Sequence, residues 1–177
     1  MGKYLAIIFT ILSSCITGEK ATHFTKFPEH FSALQILEIH SKGGVQKVLA
    51  NLERNTFAFY SVVFIHPLFQ APLLSLKFQK NKTTVKKLYD KLPDSVPGEK
   101  ILDAIRQLYD ADSFIFTERS TTQIGHLTTD TINYTLTDFE NFAQNGLCIF
   151  PRFIAIHAKD NSVMGNLRVE SKEVTCL

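Results

Sequence analysis

The stretch TFAFYSVVFIHPLFQ, residues 56–70, decides how the rest of the chain is read. Five aromatic and several β-branched residues crowd into it, which favours a strand over a helix. On a period of two, Phe57, Phe59, Val63 and Ile65 fall on one face and Tyr60, Val62 and Phe64 on the other. A strand over about 56–66 that is apolar on both faces belongs inside a layered sheet or in a barrel wall covered by a second element. The run is too short for a membrane span, which takes about 20 apolar residues. His66-Pro67 ends it as a turn.

Upstream, VQKVLANL puts Val45, Val48, Leu49 and Leu52 on one helical face and predicts a short amphipathic helix. Residues 28–41 mix the two periods and fit either helix or strand. Downstream, Leu74, Leu76 and Phe78 alternate with Ser75, Lys77 and Gln79, the pattern of a half-buried strand. KLPDSVPGEK, residues 91–100, is a loop. Ile101, Leu102, Ile105, Leu108 and Tyr109 then recur at helical spacing and predict a helix over 98–111. SFIFTE and TINYTL follow as strands, and TDFENFAQNG as a helical turn capped by Thr137 or Asp138. LCIFPRFIAIH and VMGNLRVE close the series, with Pro151 splitting the first of them or placing it at a sheet edge. There is no internal repeat or linker, so one domain is expected.

The chain of 177 residues carries 45% hydrophobic and 20% charged residues, a globular composition. Its formal charge of +2, with no basic cluster, argues against nucleic acid as a partner. Lys3, the apolar run Tyr4–Leu12 and the small or polar residues after it have the layout of an export signal. Cleavage between Cys15 and Gly18 is expected, leaving 19–177 as one secreted, extracellular domain. A buried N-terminal helix is the alternative. So is a bacterial lipoprotein box at LSSC, which would place a lipid on Cys15. Without Cys15, the pair Cys148 and Cys176 remains. In an oxidising compartment that predicts one disulfide, against the competing reading of Cys148 as a nucleophile. The sequons at Asn81 and Asn133 add candidate glycosylation sites. If Asn133 faces outward, Ile132, Tyr134 and Leu136 face inward.

The sequence holds no H-E-x-x-H, G-x-S-x-G, phosphate-binding glycine loop or C-x-x-C, so neither an enzyme nor a cofactor is predicted. Its six histidines fit no metal-ligand spacing, and no metal is expected either. With 15 Phe, 5 Tyr and no Trp, the aromatic side chains make either a packed core or the wall of a ligand cavity. Glu118 shares a strand face with Phe114 and Phe116, where a carboxylate needs a partner or water. A cationic ligand is one such partner and a solvent-facing strand end is the other reading.

The order of these pieces resembles that of the salivary lipocalins of ticks, the histamine-binding type. The resemblance rests on VQKVLANLERNTFAFYSVVFIHPLFQ, on EKILDAIRQLYDADSFIFTE and TINYTLTDFENFAQNGLC, and on the final Cys-Leu. His66 and Gln70 depart from the family's turn, and the cysteine expected shortly afterwards is absent, with Leu73 and Leu74 in that region. The resemblance implies a mainly β fold, a lipocalin-like antiparallel barrel with a short N-terminal helix and a C-terminal helical segment. It also implies sequestration of a small ligand, a biogenic amine or an amphipathic lipid. The aromatic candidates for that pocket are Phe57, Phe59, Tyr60, Phe114, Phe116 and Tyr134, with Glu118 or Asp138 set against a cation. The alternative is a secreted α+β protein acting through its surface on a host or immune protein.

Overall fold

The computed structural model describes residues 24, 26–41, 44–56, 59–89, 98–119, 122–143, 146–159 and 166–177. The expected export signal, Cys15 and Phe57 lie outside these residues.

The elements run β1 (Phe31–Ser41), β2 (Gly44–Thr56), β3 (Phe59–Ile65), β4 (Pro72–Gln79), β5 (Lys82–Lys87), α1 (Gly98–Tyr109), β6 (Ile115–Arg119), β7 (Thr122–Thr128), β8 (Ile132–Asn141), β9 (Ile149–Ala158) and β10 (Asn166–Cys176). All ten strands form one antiparallel sheet in the order β5-β4-β3-β2-β1-β10-β9-β8-β7-β6. Two five-strand meanders, one on each side of α1 in the chain, therefore meet at a single seam. There β1 pairs with β10 from Phe31↔Cys176 to His40↔Asn166. The sheet is mainly β as expected but does not close, because β5 and β6 stand at opposite ends of the order.

Alternation puts Tyr60, Val62 and Phe64 of β3, Ala50, Leu52 and Arg54 of β2, and Tyr134 and Leu136 of β8 in the interior. Helix α1 covers this inner face. Its sequence suits the role: Glu99 sits in the first turn and Arg106 in the last, complementing the helix dipole. Leu102, Ala104, Leu108 and Tyr109 are buried against the sheet. The Asp110 and Ala111 amides bond back to the Arg106 and Leu108 carbonyls at 2.8 and 3.4 Å and end the helix.

One end of the sheet, here the floor, is filled by rings. Phe27 packs 4.5 Å from Tyr109 and 5.0 Å from Phe150, Phe31 lies 5.1 Å from Phe150, and Phe24 is 4.8 Å from Phe139. The Cys148–Cys176 disulfide, with Cα atoms 5.8 Å apart, ties the start of β9 to the end of β10 at this same end. At the opposite rim lie the β1–β2 turn, the β3–β4 turn and the end of β5, as the registers require.

Three sequence expectations about whole segments need correction. Residues 45–52 form part of the 13-residue strand β2, not a helix, and the expected N-terminal helix is absent there. Val48, Ala50, Leu52 and Arg54 turn inward on a period of two, while Leu49 lies half-buried outside and Val45 is exposed. Ladders to β1 and β3 on both sides decide the strand. The helical segment expected over 137–146 is instead the end of β8 and a loop. Asp138 has a left-handed φ of 53° and lies between the pairs Thr137↔Phe153 and Phe139↔Pro151, level with Arg152, with the register unshifted across it. The Asn141 Oδ1 then accepts the Ala143 and Cys148 amides at 3.2 and 2.8 Å and shapes the loop. Finally, β3 is buried on one face only: Phe59, Val63 and Ile65 are half-buried on the outer side. Their cover is lateral, from neighbours such as Leu49 opposite Ile65, rather than from a second layer.

Other expectations match. The helix over 98–111 is α1, and the alternating segment at 73–79 is β4. Ile132, Tyr134 and Leu136 are buried while Asn133 is half-buried on the other face. Pro151 departs from expectation, since β9 runs unbroken through it from Ile149 to Ala158, between β10 and β8. It sits beyond the last β9–β10 pair, Phe153↔Glu170, where its missing N–H leaves no gap on that side of the ladder.

Candidate functional site

Between α1 and the inner sheet face, toward the rim, lies a cavity of about 40 Å³. Six elements build its wall, the helix on a period of about four and the strands on a period of two. Ile101, Ile105 and Leu108 come down from the helix, Leu37, Ala50 and Val62 rise from β1–β3, and Ile156, Leu167 and Val169 close it from β9 and β10. The lining is apolar except at the floor side, where Gln35 and Tyr109 meet.

That polar corner is internally satisfied. Gln35 Nε2 donates to the Tyr109 hydroxyl at 2.9 Å and to Ser171 Oγ at 3.3 Å, and all three residues are buried. Burial pushes the Tyr109 hydroxyl well above the usual tyrosine range, against the opposing pull of the Gln35 bond. It therefore stays a neutral donor and acceptor.

A second polar set pins the end of α1. Arg54 is fully buried, and it donates to the Pro28 carbonyl at 2.8 Å and to Asp110 Oδ1 at 3.0 Å. The Tyr60 hydroxyl donates to the same Asp110 oxygen, and the Arg54 guanidinium lies 5.6 Å from the Tyr60 ring centre. Desolvation first, and the Asp110 bond second, raise the Tyr60 hydroxyl far above its ordinary value. Nearer the helix centre, the Tyr134 hydroxyl donates to the Ala104 carbonyl at 3.0 Å, and Arg106 lies 3.7 Å over the Phe78 ring. Toward its N-terminus α1 is held by apolar packing, through Ile101, Leu102 and Ile105.

The residues anticipated for a pocket are thus divided among several places. Tyr60 and Tyr134 hold the helix, each through its hydroxyl. Phe114 and Phe116 join the ring cluster around Phe24 at the floor. Phe59 lies on the outer face. Glu118 is on β6, and its side chain lies outside the described residues. Asp138 lies away from the cavity, in a shallow outer groove of about 480 Å³ with His40, His157, Thr135, Thr137 and Arg168. Arg168 there sits 4.5 Å from the Phe153 ring centre. The residues that line the inner cavity, Leu37, Ala50, Val62, Ile101, Ile105 and Val169, carried a signal only jointly. A helical stripe at 101, 105 and 108 has to face strand stripes at 50 and 52 and at 62 and 64.

Among the described residues no group of three or more His, Cys, Asp or Glu is placed to hold a metal ion. None of their helices is long and apolar enough to cross a membrane. No protein-family model matches the chain, and no curated protein matches it.

Proposed function

We propose that the protein is a secreted, non-enzymatic carrier that receives the apolar part of an amphipathic lipid between α1 and the inner face of its sheet. The observation that carries this reading is the apolar cavity beneath the helix, lined from α1 by Ile101, Ala104, Ile105, Leu108 and Tyr109. At about 40 Å³ it is far smaller than the roughly 300–1,000 Å³ typical of small-molecule sites. Loading therefore requires α1 to lift at its rim end, where its hold is apolar packing, and to pivot about the Arg54–Asp110 end. The sheet can widen in step, since β5 and β6 are not paired to one another. In a fully laced lipocalin-like barrel the same expansion would break ladder bonds; an open one avoids that cost.

An amphipathic lipid suits the lining better than a biogenic amine. A buried ammonium needs a carboxylate partner, and the nearest interior carboxylate, Asp110, already receives Arg54 and Tyr60. Of the two sequence candidates for that task, Asp138 faces the outer groove and Glu118 stands on β6, the last strand in the sheet order.

The test uses cis-parinaric acid, which brightens in an apolar site, and histamine by calorimetry. The fatty-acid probe should bind and histamine should not. Ala50→Leu, which fills the cavity wall, should weaken the probe at least tenfold, about 1.4 kcal/mol. A protein that ignores the probe, or an Ala50→Leu variant that binds it as well as the parent, would refute the carrier reading. Tight histamine binding would refute the choice of lipid over amine.

A further inference from the structure

The rim of the sheet carries a second feature that the cavity does not explain. Leu68 and Phe69, at 81% and 78% exposure, are the two most exposed large apolar side chains described. They occupy the tip of the β3–β4 turn, which is held rather than loose. The Gln70 amide donates to the His66 carbonyl and the His66 amide to the Ala71 carbonyl, both at 2.9 Å. His66 Nδ1 accepts the Leu68 and Phe69 amides at 3.3 Å each, and its ring lies 4.7 Å from the Phe69 ring. The backbone thus holds two bulky apolar side chains out into water, a costly display unless something receives them.

The surroundings indicate the receiver. Leu88 and Tyr89, 38% and 45% exposed, follow β5 at the same rim, where the Leu88 amide donates to the Leu73 carbonyl at 2.9 Å. Lys86 and Lys87 pair with Ser75 and Leu74 just below them. Lys159 lies at the rim end of β9, its Nζ 2.6 Å from the Thr129 carbonyl, and exposed acids at this end include Asp130 and Glu99, the latter beside Lys100. A convex tip of two apolar side chains, backed by an amphipathic tyrosine and lysines, matches the layering of a bilayer interface. A protein groove-binder would instead present a broader apolar face.

We propose that Leu68 and Phe69 form a preorganised wedge that inserts this rim into the surface of an anionic lipid bilayer. The wedge lies at the same end as the cavity, so a docked protein would bring the rim end of α1 toward the membrane. Docking itself does not depend on the cavity being loaded.

The chain has no tryptophan, so Phe69→Trp gives a single reporter. Its emission should move to shorter wavelength with phosphatidylcholine–phosphatidylglycerol vesicles, while that of Leu147→Trp, exposed at the floor end, should not. In vesicle flotation, Leu68→Glu combined with Phe69→Glu should reduce partitioning about a hundredfold, as half-burial of both side chains implies. Lys86→Ala should lose about fivefold on anionic vesicles and nothing on pure phosphatidylcholine. Ala50→Leu should dock normally even where it fails to load, so failure of the carrier reading and failure of docking are read separately. An unshifted emission from the Phe69→Trp variant at saturating vesicles, a double-Glu variant that floats like the parent, or capture by a protein with no vesicle binding would each overturn the proposal. Equal binding to neutral and anionic vesicles would overturn its anionic part.

Discussion

Replacing Asp110 by alanine tests the arrangement that fixes the helix. Arg54 is 0% exposed and its guanidinium reaches Asp110 Oδ1 at 3.0 Å, with Tyr60 bonded to the same oxygen. Asp110→Ala leaves the buried guanidinium its 2.8 Å bond to the Pro28 carbonyl but removes its counter-ion. Breaking a buried pair from one side costs about 3–5 kcal/mol. The Asp110 side chain is 28% exposed, so water can partly replace it, and the low end, about 3 kcal/mol, is expected. For a domain of this size that corresponds to a fall of roughly 6–12 °C in Tm. Arg54→Met removes the charge itself and leaves a carboxylate that solvent already reaches. The double variant Arg54→Met, Asp110→Ala should therefore be more stable than Asp110→Ala alone. Urea unfolding followed by circular dichroism, completed as a double-mutant cycle, measures this. A cost below about 1 kcal/mol for Asp110→Ala, the scale of a surface pair, would refute the reasoning. Strict additivity of the two changes would refute it equally.

The disulfide closes 28 residues, which in the chain-entropy treatment is worth about 3.5 kcal/mol. Cys148→Ser with Cys176→Ser should lower the urea midpoint accordingly, with a similar drop for the parent in reductant. Tyr60, Tyr109 and Tyr134 all hold their protons more tightly folded than unfolded, chiefly through burial. Stability should then be complete below about pH 10, where unfolded tyrosine ionises, and decline above it. Tyr109→Phe should flatten that decline in alkaline unfolding curves. Tyr134→Phe removes the bond to the Ala104 carbonyl and should cost about 1–2 kcal/mol in thermal unfolding, leaving the carbonyl buried. A Cβ on Gly125 would meet Phe116 Cε1 at 3.0 Å, so Gly125→Ala should cost about 1 kcal/mol by forcing that ring to move.

The elements with a single clean period are legible in the sequence. Leu74, Leu76 and Phe78 marked β4, and Ile101, Leu102, Ile105 and Leu108 marked α1. Residues 45–52 misled because Val45, Val48, Leu49 and Leu52 satisfy the helical spacing equally well over so short a window. Strand pairing on both sides, a property of distant residues, settles the matter. The aromatic content was read as a cavity wall or a core. It is mostly core, since Phe24, Phe27, Phe31, Phe114 and Phe150 stack into the floor. No local pattern distinguishes a ring facing another ring from one facing a ligand. The cavity depends on α1 returning across the sheet, and Asp138 falls on the outer groove where its own backbone takes a left-handed φ, which the strand period does not foretell. The Leu68–Phe69 tip was within the opening stretch, but exposure at a turn is not encoded by hydrophobicity.

The seam between β1 and β10 has a consequence for the order of assembly. Each meander is built from hairpins between successive segments, pairings that form quickly, whereas β1 must wait for the last strand in the sequence. Until β10 arrives, β1 offers an open strand edge, and the N-terminal half has an apolar inner face without its full complement of partners. The span Asn166–Cys176 thus acts as a keystone set last, drawing in the disulfide and the floor together. A chain cut before Asn166 should yield two unsealed half-sheets, prone to pair with one another between molecules.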